Sequence, residues 1–161
     1  MEDTARDLAV YILLRTDLPS LNSGKAAAQA HHSGVQMMVK HNQHSLVQEY
    51  ISMGIKQGAD CFNTTLVLAA NYQQIEHTID IAKVWNSNYL LYDGVVDPSY
   101  PFVVDEEISR LIPQTETTKI VKPLDNSKVL MVRKELTCAW FLIDRNDLET
   151  RKLFDGFNLH P

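Results

Sequence analysis

The sequence predicts one α/β domain. Its sheet would be mixed but mostly parallel, with four or five strands and helices on both faces, a three-layer arrangement. Three observations carry this. Short, nearly continuous apolar runs recur at 9–15, 64–70, 89–92 and 138–143. Segments with helical spacing separate the first three runs, and crossovers of that length favour parallel neighbours. The chain has 161 residues, 45% of them hydrophobic and 22% charged, which suits a single core.

The elements follow in order. Residues 9–15 (AVYILLR) read as an interior strand covered on both faces. A turn-rich loop over Asp17, Pro19, Ser20, Asn22, Ser23 and Gly24 leads to a helix over 24–39, with Ser23 as its expected cap. Alanines and Gly34 would let this helix approach a sheet closely. Lys25, Gln29 and His32 share one of its faces. A second helix is expected through 44–56, buried through Leu46, Val47, Tyr50, Ile51 and Ile55.

After a break at Gly58–Asn63, residues 64–70 predict a second strand. Asn71 and Gln74 form a cap signature for a helix over 72–85, ended by Asn86 and Asn88. Residues 89–92 (YLLY) predict a third strand. Pro98 and Pro101 argue against regular structure after it. Residues 105–112 suit one short helix capped by Asp105, and 113–127 a loop. Residues 128–133 and 138–143 read as two strands that could form a hairpin. Asn146 and Glu149 suggest a last helix, and the tail could lie back on the sheet or fray. The whole chain, 1–161, is thus expected to be one domain with an irregular insertion at about 97–136.

Composition narrows the function. No uncharged stretch of twenty apolar residues is present, so no membrane association is expected. The start MEDTARDLAV is acidic and unlike a secretory signal, so a cytoplasmic location is expected. Cys61 and Cys138 are too few for a disulfide framework and read as buried free thiols. A formal charge of -5 argues against strong non-specific nucleic-acid binding but leaves room for a local basic patch. The segment 119–134 is the one candidate, with Lys119, Lys122, Lys128, Arg133 and Lys134 against Asp125. It reads either as a solvated face or as a binding patch. Adjacent His31 and His32 point about 100° apart on a helix and lack a ligand set, so no metal is expected.

The most informative stretch is the loop–helix junction. Arg15-Thr16-Asp17-Leu18 follows the first strand, and Gly24-Lys25-Ala26-Ala27-Ala28-Gln29-Ala30-His31-His32 opens the helix. This ordered combination resembles the peptidyl-tRNA hydrolase 2 family. There, a strand ending in Arg-x-Asp-Leu leads through a glycine- and lysine-rich loop to Gly-Lys-x-Ala-Ala-Gln and a histidine. The likeness covers roughly 9–95 and 137–159. The family's third strand leads to an active-site aspartate, a place that Asp93 takes here.

Two departures stand out. Asn22-Ser23-Gly24-Lys25 replaces the family's Gly-Lys-Gly-Lys, and Gly94-Val95-Val96-Asp97-Pro98 replaces Ala-Gly-Arg-Thr-Gln after the aspartate.

The resemblance implies hydrolysis of the ester between a peptide and the terminal ribose of tRNA, with no cofactor. Lys25 would stabilise negative charge or hold the 3′ end, Asp93 would orient Lys25 or polarise water, and Thr137 would supply a hydroxyl. Ser23 and Thr16 are alternative hydroxyls. Asp17, Ser23, Gly24, Gln29, His32 and Lys40 would support the site or bind substrate. Peptidyl-tRNA would be the partner, touching the rim of Lys25, Lys40 and the 119–134 segment. The missing threonine and altered loop leave a second reading open, a domain that has lost catalysis and binds RNA or protein. A third is a homodimerisation module with the insertion as its interface.

Overall fold

A computed structural model of the chain describes residues 6–56, 63–85 and 87–161. The elements run β1 (Leu8–Arg15), α1 (Ser23–His41), α2 (Ser45–Lys56), β2 (Thr65–Ala70), α3 (Tyr72–Trp85), β3 (Leu90–Asp105), α4 (Glu106–Leu111), β4 (Thr118–Pro123), β5 (Lys128–Asp144) and α5 (Leu148–Lys152). The expected break at Gly58–Asn63 lies almost wholly outside the described residues, as do Cys61 and Asn86.

One five-stranded sheet has the order β2-β1-β5-β3, and β4 pairs with β5. It is mixed, but not mostly parallel. Among the described residues only β1 and β2 pair parallel, while β5 runs antiparallel to β1, β3 and β4. The crossover argument is right for direction and wrong for neighbours. The first three strands do point the same way, but β5 inserts between β1 and β3 and reverses both pairings.

Every residue of β1 is buried, as its unbroken apolar run requires. Leu8, Val10, Ile12 and Leu14 pack with Met37, Leu46, Val47 and Tyr50 of α1 and α2. Ala9, Tyr11 and Leu13 pack instead with Ile75 and Ala82 of α3 and with Phe154. Alternation along the strand therefore feeds two apolar clusters. Trp140 and Phe141, both fully buried, extend one cluster each from β5.

The region after Asp93 differs most from its sequence reading. The third strand does not stop at Tyr92 but continues to Asp105. Pro98 and Pro101 are tolerated because β3 is an edge strand, hydrogen-bonded only to β5. A register shift between Asp97 and Tyr100 brackets Pro98. The two expected strands at 128–133 and 138–143 are one continuous strand, β5. Lys134 and Glu135 imitate a turn in sequence, but in the fold they are polar residues of a strand. Residues 118–123, expected as loop, form β4 on its outer side. Residues 97–136 thus form a three-stranded arm with α4 packed on it, rather than an irregular insertion.

The caps also shift. Asn22, not Ser23, caps α1, its Oδ1 accepting from the Lys25 amide at 2.9 Å. Asn71 and Gln74 form a reciprocal box, with the Gln74 amide donating to Asn71 at 2.9 Å and the Asn71 amide donating to Gln74 at 2.8 Å. Asp105 precedes α4 but receives Lys128 instead of an amide. Asp147 rather than Asn146 stands at the start of α5. The tail lies on β2, where the Ala69 amide donates to Asn158 and the His160 amide donates to Val67. No described helix is long and apolar enough to cross a membrane.

Candidate functional site

The sheet register fixes which polar residues can meet. Ile12, Trp140 and Asp93 lie in one row across β1, β5 and β3, so Asp93 is level with the middle of β1. Leu14, Cys138 and Val95 form a later row, and Asp97 pairs with Glu135 beyond it. Asp97, not Asp93, is therefore the β3 carboxylate at the carboxyl end of β1. That end is where strands feed loops and where open α/β sheets gather ligand-binding groups.

Asp97 is held there by α1. Gln29 Nε2 donates to Asp97 Oδ2 at 3.0 Å, and the buried Thr137 hydroxyl donates to Gln29 Oε1 at 2.7 Å. The same hydroxyl lies 3.2 Å from Val95 O. The amide of Ser99 donates to Asp97 Oδ1 at 2.8 Å. Gln29 is buried, and the small residues Ala26 and Ala30 beside it pack on the core, so α1 comes close enough for the Gln29 amide to bridge two strands. A cleft of about 360 Å³ opens beside this chain of hydrogen bonds, lined by Gln29, His32, Gln36, Lys40, Val95 and Asp97. A larger cleft of about 720 Å³ lies between α1 and α2, and the described residues that line it are mainly aliphatic, with no carboxylate among them.

Lys25 lies one turn before Gln29 on α1. Its ammonium donates to Pro101 O at 2.9 Å and sits 5.1 Å from the centre of the Tyr100 ring. Burial holds its pKa below the usual lysine value. The tyrosine is itself fixed, since its hydroxyl donates to Pro19 O at 3.0 Å.

Asp93 has a different partner. Lys40 Nζ donates to its Oδ2 at 2.8 Å, and the Gly94 amide donates to its Oδ1 at 2.8 Å. His41 Nε2 stands 3.8 Å away, and the His41 ring meets Trp140 edge-on. Gln36 locks this end, donating to Gly94 O at 3.0 Å and accepting from the Trp140 indole at 2.8 Å. The expected Lys25–Asp93 couple is not formed. Lys25 and Lys40 stand at opposite ends of α1, about 22 Å apart along its axis at about 1.5 Å per residue.

The remaining candidates divide. Asp17 pairs with Arg15 and accepts from the Tyr72 amide at 3.3 Å. Burial raises its pKa, but hydrogen bonds from Arg15 and Tyr72 outweigh that and leave it below the usual value. Buried Arg15 also reaches Glu135 at 2.8 Å and Leu136 O at 2.9 Å, which braces the end of β1 against β5. Thr16 donates to Ala70 O at 3.3 Å and so ties β1 to β2. Ser23 and Gly24 are exposed in the first turn of α1, and His32 is exposed on the cleft wall. Among the described residues, no three His, Cys, Asp or Glu side chains cluster as metal ligands would.

Sequence reasoning missed Asp97, Gln36 and the Arg15–Glu135 brace. Asp97-Pro98 carries a turn signature, and nothing local marks it as the partner of Gln29. Compared with known proteins, no family model matches the chain and no curated protein matches it.

Proposed function

We propose that this chain, as a single three-layer domain, hydrolyses the ester joining a peptide to the 3′-terminal ribose of tRNA. The observation that supports this reading most is the Asp97–Gln29–Thr137 chain at the carboxyl end of β1, one helical turn from Lys25. Those groups suit ester hydrolysis. Asp97 accepts a proton from water, and the water oxygen attacks the ester carbonyl. The Lys25 ammonium stabilises the oxyanion that develops. The carbon–ribose oxygen bond then breaks, and the ribose oxygen leaves with a proton, giving free peptide and tRNA. Gln29 holds Asp97, and Thr137 holds Gln29.

In this reading Asp97 takes the role that the family resemblance gives to Asp93. A second reading, a domain that binds RNA without catalysis, draws support from the Lys25–Pro101 bond, because that ammonium faces a carbonyl rather than a carboxylate. Incubating the pure protein with peptidyl-tRNA and counting released peptide separates the two. Release above background that falls in Lys25→Ala supports hydrolysis, and background release from the native protein sinks it.

A further inference from the structure

The arm built from β3, β4 and β5 has two unlike faces. On one, Phe102, Val129 and Met131 pack with Ile112 beside α4. The other face follows from register. Val103 pairs with Leu130 and Pro101 with Val132. On the outer side, Lys122 pairs with Leu130 and Lys119 with Val132. Paired residues share a face, and alternation along β5 adds Lys128 and Lys134 to it. Four lysines therefore frame an aliphatic strip. Val103 is 42% exposed, so the strip is open.

The charge on this face is unbalanced. Lys128 is held by Asp105 at 2.6 Å. Lys119, Lys122 and Lys134 have no ion pair among the described residues. This arises in a chain of formal charge -5. Lys128 to Lys134 span about 20 Å of strand, at about 3.4 Å per residue, enough to follow several phosphates. The candidate site lies on the other face of the arm, since Asp97 pairs with Glu135, which alternates with Lys134, and the Lys25 ammonium reaches the intervening edge of β3 at Pro101 O.

We propose that this face of the arm docks the phosphate backbone of a structured RNA, a tRNA stem whose 3′ end passes round the free edge of β3 to the site. The identity of the RNA as tRNA rests on the proposed hydrolase reading, whereas the polyanion-binding face does not. Flat cationic surfaces suit duplex RNA, which is recognised largely through its shape and backbone.

The test measures binding of deacylated tRNA by fluorescence anisotropy across a salt series. Lys119→Ala/Lys122→Ala/Lys134→Ala is compared with the native 161-residue chain. A control, Lys56→Ala/Lys83→Ala/Lys152→Ala, makes the same net-charge change elsewhere. The arm variant is expected to bind at least tenfold more weakly and to flatten the log–log salt dependence by about one unit per lysine removed. Equal affinity in native and arm variant would overturn the proposal, as would equal losses in arm and control variants. Arm-dependent binding to anionic lipid vesicles without arm-dependent tRNA binding would overturn it in favour of a membrane surface. Peptide release is assayed alongside. Arm-dependent binding with no release by the native protein would sustain the docking face and refute the hydrolase reading.

Discussion

Asp93 accepts a hydrogen bond from Lys40 at 2.8 Å, at the opposite end of α1 from Lys25. The Lys40 and Asp93 side chains are 51% and 31% exposed, so the pair is partly screened by solvent. Ion pairs of this kind contribute about 0–1 kcal/mol. Lys40→Ala is therefore expected to shift the urea midpoint only slightly. A loss well above 1 kcal/mol would mean that the pair organises the sheet.

Thr137 is a different case because it is fully buried. Thr137→Val keeps the shape and removes the hydroxyl, leaving Gln29 Oε1 without its donor. A buried acceptor stripped of its partner costs about 1–3 kcal/mol. Denaturant unfolding of the single variants and of Gln29→Leu/Thr137→Val checks this. The double variant should lose less than the sum of the singles, since they share one interaction.

Asp17 gives the fold an acid limb. Its carboxyl titrates below the usual value in the folded chain, so folding favours the ionised form. The stability it contributes is present above the unfolded pKa of about 3.9 and is lost as pH falls through the lower folded pKa. Thermal melts from pH 6 down to pH 2 should fall more steeply in the native chain than in Asp17→Asn. Parallel curves would contradict the assignment.

Cys138 should be chemically quiet. Burial pushes its thiol up to about 11, against weaker opposing bonds from Ser33 and Thr137. The thiolate is the reactive form. In a Cys61→Ser background, alkylation of the native protein at pH 8 is expected to be far slower than that of the protein unfolded in guanidinium. Comparable rates would contradict the packing around β5.

Sequence revealed those parts of this fold that are encoded locally. The run at 9–15 suited an interior strand, and the Asn71–Gln74 pair carried the cap signature of α3. The arm was hidden because its signals are non-local. Pro98 and Pro101 look like strand breakers until β3 is known to lie at an edge. Lys134 and Glu135 look like a turn until β5 is seen to pair on both sides. The site followed the same division. Lys25 and Gln29 belong to a continuous motif, but the choice between Asp93 and Asp97 depends on register. Only the pairing of β3 with β5 puts Asp93 level with the middle of β1 and Asp97 beyond its carboxyl end.

Peptide release from peptidyl-tRNA tests the choice between Asp93 and Asp97 most directly. Asp97→Asn and Asp93→Asn are measured beside the native protein, with tRNA binding confirmed for each. Asp97→Asn is expected to slow release by about a hundredfold or more, the usual scale for a lost general base, while Asp93→Asn stays within about threefold of native. The reverse order, with Asp93→Asn inactive and Asp97→Asn near native, would contradict Asp97 as the proposed general base.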